Sequence, residues 1–201
     1  MENPPVYTLP PVITSLDFSP DSQILAIAGF HEVLLHKADG SAPVARLVGL
    51  SERVESVRFS PDGKKIIYQA VRDGYPFYQI YTQPLKGGTP RLLSTGRGRT
   101  TCSYFSPDGR RILFASSHLD PQLAATEEKV RKQLEEDRKA GVRRRYSWPF
   151  DPHMDIFETD LDGNLLRRLT SEPGYDAEGA YSRDGKTLAF CSTRDGDPDL
   201  Y

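Results

Sequence analysis

Four copies of one short motif, spaced as blades are, and β-rich runs broken by Asp-Gly turns predict an all-β fold. The expected architecture is a partial β-propeller of about 3.5 four-stranded antiparallel blades, with one helical insertion in the third blade. The copies are FSPD at 18–21, FSPDG at 59–63 and 105–109, and YSRDG at 181–185. Successive copies start 41, 46 and 76 residues apart. The first two intervals each fit one four-stranded blade, and the third fits a blade carrying about 30 extra residues.

Period-2 alternation and turn residues assign the strands in order. Blade one (12–49) takes strands at 13–19, 24–28, 32–36 and 44–48. In blade two (53–95) the run 54–60 ends at Pro61-Asp62-Gly63, where proline presets φ and Asp-Gly tolerates positive φ. Its second strand, 65–71, is rich in β-branched and aromatic residues (Ile66, Ile67, Tyr68, Val71). Arg72-Asp73-Gly74 turns into 78–83, and Gly87-Gly88 into 90–94. Blade three (100–170) reads 101–106, 111–117, then, after the interruption, 155–160 and 165–170. Blade four (176–201) reads 177–182 and 187–193, turns at Arg194-Asp195-Gly196 and stops at 199–201, so it is incomplete. Propellers close with about 4 to 8 blades, and an unpaired terminal strand leaves an open edge. The expectation is a fragment of a longer protein, or an array that closes by self-association through its open blade edges.

Composition narrows the function classes. At 201 residues, with 37% hydrophobic and 10% aromatic content, the chain can bury the core of one ordinary domain. A net charge of −2 argues against an overall nucleic-acid binder. No run approaches the ~18 apolar residues of a membrane span, so no membrane insertion is expected. The start, MENPPVYTLPP, lacks the basic then apolar pattern of a secretory signal. As written, the chain is expected to stay where it is made unless its N-terminus was trimmed. Cys102 and Cys191 stand 89 residues apart in different expected strands, which predicts buried free thiols rather than a disulfide framework.

From Lys65 onward the chain resembles the TolB-like propeller repeats. The matching stretches are FSPDGRRILFASS, MDIFETDLDGNLLRRLT and YSRDGKTLAFCSTRDGDPDLY. The first 64 residues differ: VGLSERVESVRFSPDG looks like a WD-repeat blade, with Leu50 where His is usual, and Gly29-Phe30-His31 lacks the Arg-Asp-Gly of later turns. Two origins fit, blades of two propeller families joined near Lys65 or one family drifted at its first blade. The resemblance implies fold more than function, because such propellers serve both as partner-binding modules and as accessory domains on hydrolases. It also implies an exported or periplasmic protein; the compartment is otherwise unknown from the sequence.

The insertion, 118–152, joins the second and third strands of blade three. Asp120-Pro121 reads as a helix N-cap with proline at the first helical position, and Gly141 as a stop. Glu127 with Arg131, Glu128 with Lys132 and Glu135 with Lys139 are spaced i,i+4. Leu123, Val130 and Leu134 form a narrow apolar stripe, so the expected helix is docked and mostly solvated. Residues 127–145 hold eight basic and five acidic residues and end in Arg143-Arg144-Arg145. That run is either a solvated tail or a contact for an acidic ligand or partner. Tyr146, Trp148 and Phe150 form either a satellite core under the cap or a recognition surface.

Two His-x-Asp units mark the feet of the insertion, His118 with Asp120 and His153 with Asp155. Antiparallel neighbours bring such feet together, so the four side chains suit mutual hydrogen bonding that fastens the cap, a ligand contact, or a divalent metal. His31 and His36 stand at i,i+5 in an extended hairpin, which places them on opposite faces and does not match a zinc-protease helix. Asp160-x-Asp162-Gly163-Asn164 is accounted for by an Asp-Gly turn and does not complete a calcium loop. No nucleophile elbow, phosphate-binding glycine loop or paired-cysteine zinc motif is present. The sequence therefore predicts a non-catalytic binding or scaffold module, with no cofactor and no metal, for a protein or peptide partner rather than nucleic acid. Its candidate ligand residues are His118, Asp120, Arg143, Arg144, Arg145, Trp148, His153 and Asp155. The alternatives are the gating propeller of a prolyl-oligopeptidase-like hydrolase continuing past Tyr201, and an engineered joining of two propeller families.

Overall fold

The computed structural model describes residues 12–72, 74–142, 147 and 150–201. Blade one is β1 (Ser15–Phe18), β2 (Ile24–Ala28), β3 (Phe30–Lys37) and the first part of β4 (Pro43–Phe59). Blade two is the rest of β4 with β5 (Lys65–Ala70), β6 (Gln79–Pro84) and β7 (Arg91–Leu92). The third contains β8 (Thr100–Phe105), β9 (Arg111–Ser116), α1 (Leu123–Ala140), β10 (Asp155–Asp160) and β11 (Leu165–Arg168). The fourth is three-stranded, β12 (Asp176–Tyr181), β13 (Leu188–Ser192) and β14 (Asp199–Leu200). Every ladder is antiparallel between sequence neighbours. First strands of successive blades lie against one another, β1 by β4, β4 by β8 and β8 by β12, whereas β7 and β11 pack on their own blades. This is the radial arrangement of a partial propeller.

The sequence pattern suggested two strands where β4 is one. Its residues 43–48 pair with β3 and its residues 54–59 with β5, so blades one and two form a single seven-stranded sheet. Gly49 takes a positive φ of 70° within β4, letting the strand turn from one blade into the next without breaking.

The motif turns are built alike. Ser19, Ser60, Ser106 and Ser182 each donate a hydroxyl proton to the aspartate two residues on, at 2.6, 2.7, 2.5 and 2.7 Å. The same hydroxyl accepts the N–H five residues on, from Ile24, Lys65, Arg111 and Thr187, at 2.8 to 3.0 Å. Each aspartate also accepts the N–H two residues beyond itself. Serine donors first, then these N–H groups, hold Asp21, Asp62, Asp108 and Asp184 below the usual carboxylate range. The turns also stack: a Cβ on Gly63 would stand 3.5 Å from the Pro20 ring, one on Gly109 3.7 Å from Pro61, and one on Gly185 3.5 Å from Pro107.

The core lies between blades. Ala26, Ala28, Val33 and Leu35 of blade one meet Val54, Val57 and Tyr68 of blade two. Ile67, Ile80 and Leu93 then face Phe105, Ile112 and Phe114, while Leu113, Ala115 and Ile156 face Tyr175 and Ala177. Alternate residues of β9 therefore pack on opposite neighbours, which explains its unbroken apolar run Ile112-Leu113-Phe114-Ala115. The motif aromatic of each blade enters the junction with the blade before it. Phe59 and Phe105 are buried there, whereas Phe18 is 56% exposed and shares the outer face of blade one with Leu16.

Blade four replaces the motif phenylalanine with Tyr181, and its neighbour explains the change. The Tyr181 hydroxyl donates to Glu158 of β10, a carboxylate buried to 1% exposure that also pairs with Arg111 at 3.2 Å and with Arg167. Burial alone would raise the Glu158 pKa, but Arg167, Tyr181 and Arg111 together hold it below the ordinary value. Burial and the Glu158 charge push the Tyr181 phenol up.

Three outcomes are expected. Ser22 holds φ 58° where the other copies have glycine, so Ser22→Gly stabilises the chain by about 0.5 to 1 kcal/mol in urea unfolding. The depressed motif aspartates contribute stability that is complete above about pH 4 and is lost as pH falls through their native values. Asp62→Asn with Asp108→Asn flattens that acid limb in urea midpoints taken between about pH 2 and pH 5. Tyr181→Phe costs about 1 to 2 kcal/mol and adds less than fully to Glu158→Thr, because both remove one buried hydrogen bond, as a double-mutant cycle reads out.

Candidate functional site

The connection leaving β9 and the connection entering β8 meet at one end of the blades. Gly98, before β8, has φ 67°, and a Cβ on it would stand 2.8 Å from the backbone of Ser117 and His118. Only glycine allows the two segments to close on each other there. The Gly98 N–H donates to the Glu127 carboxylate of α1 at 2.9 Å, and Arg131 of α1 donates to the Gly74 carbonyl. Glu127 and Arg131 thus dock the helix on two neighbouring connections. The other i,i+4 pairs form on the solvated face, Lys132 with Glu128 and Lys139 with Glu135, both at 2.7 Å.

The helix begins later than the Asp-Pro signal suggests. Gln122 is the N-cap and makes no side-chain cap bond. Asp120 accepts the Gln122 N–H at 2.7 Å, so its carboxylate closes the turn ahead of the helix. Gly141 is the left-handed C-cap, its N–H reaching the Arg138 carbonyl. Leu123 is buried and Leu134 is half exposed, which leaves most of α1 in solvent.

Aligned on the motif serine, the insertion feet fall into repeating and non-repeating residues. Arg72, His118 and Arg194 each stand twelve positions after that serine. Each lies over an aromatic on, or just past, its blade's third strand: Arg72 5.3 Å from the Tyr81 ring centre, His118 4.4 Å from Phe157, and Arg194 4.7 Å from Tyr201. His118 Nδ1 lies 3.0 Å from Ser116 Oγ, as Arg194 Nε lies 2.9 Å from Ser192 Oγ. Burial, with Arg168 and Arg97 nearby, lowers the His118 pKa and favours a neutral ring. Asp155 similarly matches Gln79. Ser94 donates to Gln79 at 2.7 Å and Thr170 donates to Asp155 at 3.3 Å, while both hydroxyls accept the next strand N–H at 3.0 Å. Asp155 also pairs with Arg168 at 2.6 Å, yet burial raises its pKa overall and Asp176 adds to that.

The remaining contacts join the insertion to the connections beside it. His153 Nε2 lies 3.6 Å from Asp120 Oδ1, and the His153 N–H donates to Asp151 at 3.1 Å. Asp151 pairs with Arg99 at 3.7 Å, whose guanidinium covers the Phe77 ring at 4.4 Å. Burial lowers the Arg99 pKa and Asp151 opposes that. Phe150 meets Tyr175 edge to face at 5.0 Å and is 58% exposed. The structure therefore joins His153 with Asp120 across the feet but gives His118 and Asp155 other partners. Among the described residues no cluster of three or more His, Cys, Asp or Glu suits a metal ion. Arg143, Arg144, Arg145, Tyr146 and Trp148 lie outside the described residues. Cys102 and Cys191 are free and half-buried, burial pushing both thiols up.

Sequence reading passed over Arg99, Asp151 and Phe77. One signal was available: the constant offset from the motif serine places His118 at an Arg-Asp-Gly arginine position, which marks it as part of the repeat.

No protein-family model matches the chain. A TolB homologue from Chlorobium luteolum is 28% identical over 154 residues, covering 72% of this chain and 35% of the relative. An uncharacterised WD repeat-containing protein from Synechocystis sp. is 34% identical over 98 residues, covering 49% of this chain and 27% of the relative. The chain thus spans about a third of the length of the curated relatives it matches. Among solved structures, a protein assigned as TolB from Agrobacterium tumefaciens superposes with a TM-score of 0.65 at 24% identity, over 96% of this chain and 58% of that one. TolB from Acinetobacter baumannii gives 0.62 at 22% identity, over 94% and 41%. Motif, sheets and these likenesses agree that the chain is a partial β-propeller of TolB-like and WD-repeat-like blades.

Proposed function

We propose that this chain is part of a non-catalytic binding module whose ligand is a peptide or protein segment, met on the face where α1 leaves blade three. One observation carries the reading. On that face the insertion's own Asp120, Asp151, His153 and Phe150 gather at its feet beside Arg99 and Phe77, a stacked pair that repeats Arg53 over Phe30 of the blade before. His153 and Phe150 are 46% and 58% exposed beside buried carboxylate and aromatic partners, a polar and an apolar handle a few residues apart. Aromatic anchors next to a charged pair are the usual makings of a recognition surface. The hydrogen bonds that dock α1 hold that surface in place before any ligand arrives, which lowers the ordering cost of binding.

The test is a selection of peptides from a displayed random library on the immobilised chain. Selected peptides are expected to bind Phe150→Ala and His153→Ala at least tenfold more weakly. They are expected to lose binding when residues 119–153 are replaced by an Asp-Gly turn. Peptides that bind this shortened chain as well as the original would overturn the reading, provided the shortened chain keeps its thermal transition.

A further inference from the structure

At the end of the blades opposite the insertion, a cavity of about 390 Å³ opens between the first strands. All four blades contribute side chains to it: Asp17 from the first, Arg58 and Pro61 from the second, Tyr104 and Pro107 from the third, Tyr181 and Arg183 from the fourth. Three departures from the repeat coincide there.

The position two residues before the motif serine holds Asp17, Arg58, Tyr104 and Ala180 in the four blades. These side chains form a short series around the wall. Asp17 accepts the Phe59 N–H at 2.6 Å, Arg58 reaches Ser15 at 3.3 Å, and its guanidinium lies 5.7 Å from the Tyr104 ring centre. The third position of the motif is proline in three copies and packs each time on the glycine of the next turn. In the fourth copy it is Arg183, an exposed side chain that lines the cavity with Pro61 and Pro107. Tyr181, the one motif tyrosine, forms the adjoining wall.

Two guanidinium groups against one carboxylate, with Asp17 already accepting a backbone hydrogen, leave the lining net positive. Tyrosine and proline rings supply the apolar sides that a free inorganic anion has no use for. We infer that this cavity binds the acidic side chains of a peptide segment, its carboxylates on Arg58 and Arg183 and its apolar groups against Tyr104, Tyr181, Pro61 and Pro107. Guanidinium groups suit carboxylates because their N–H groups match both oxygens, and a concave site with few convergent polar groups is the common form of a ligand pocket. This site is separate from the insertion face, so either can fail without the other.

The experiment is fluorescence anisotropy of the chain with a fluorescein-labelled decapeptide of alternating Glu and Tyr, and with the same peptide carrying Lys for Glu. The Glu peptide is expected to bind and the Lys peptide to bind at least tenfold more weakly, with affinity falling as salt rises. Arg183→Gln, at an exposed side chain, is expected to weaken binding at least fivefold and Arg183→Glu further. Arg58→Gln is expected to weaken it at least tenfold, while Arg110→Gln, a turn cation outside the cavity, leaves it unchanged. Absence of Glu-peptide binding, equal binding of the Lys peptide, or unchanged affinity in both Arg183 variants would overturn the inference. So would citrate or phosphate displacing the peptide at the peptide's own concentration, which would reassign the cavity to a small anion.

Discussion

The hydroxyl of the motif serine is the interaction on which the blades depend. It donates to an aspartate two residues ahead and accepts the N–H five residues ahead, so one small side chain closes the turn between the first two strands of each blade. Closing the turn fixes the register of those strands. Register in turn decides which alternate residues face each neighbour. The stacked Pro and Gly of successive turns carry the same alignment from blade to blade.

The third-to-fourth junction keeps the Pro107–Gly185 contact but replaces the motif phenylalanine with Tyr181. The fold compensates with charge. Glu158, buried between Arg111, Arg167 and Tyr181, replaces the threonine of the preceding blade and ties β10 to β12. A buried carboxylate left without one of its partners is costly, so this junction tolerates fewer substitutions than the apolar ones. Arg183, at the proline position of the fourth copy, lines the cavity beneath.

The fold was legible because the motif repeats and because β5 and β9 show their two-sided burial as unbroken apolar runs. The bend that keeps β4 whole was not, since Gly49 looks like a strand end until its pairing on both sides is seen. The site was read only in part. The His-x-Asp units were visible as residues, but one member of each, His118 and Asp155, serves the blade repeat, a fact hidden by the insertion that separates them. Arg99 and Asp151 come from different connections and meet only in the folded chain, so no local pattern announces their pairing. The helix starts later than its Asp-Pro signal for a physical reason: the Asp120 carboxylate closes the turn before the helix.

The continuity of β4 divides the chain into sheets of unequal size. Blades one and two share the continuous strand β4, whereas the later junctions combine side-chain packing with backbone hydrogen bonds from Thr100 to Tyr78 and from Asp176 to Met154. Backbone ladders couple opening over a whole sheet, while packed faces can part with each sheet intact. The first two blades are thereby joined through one strand, and the third and fourth through packed faces. Both the insertion and the cavity at the opposite end draw residues from each side of that division.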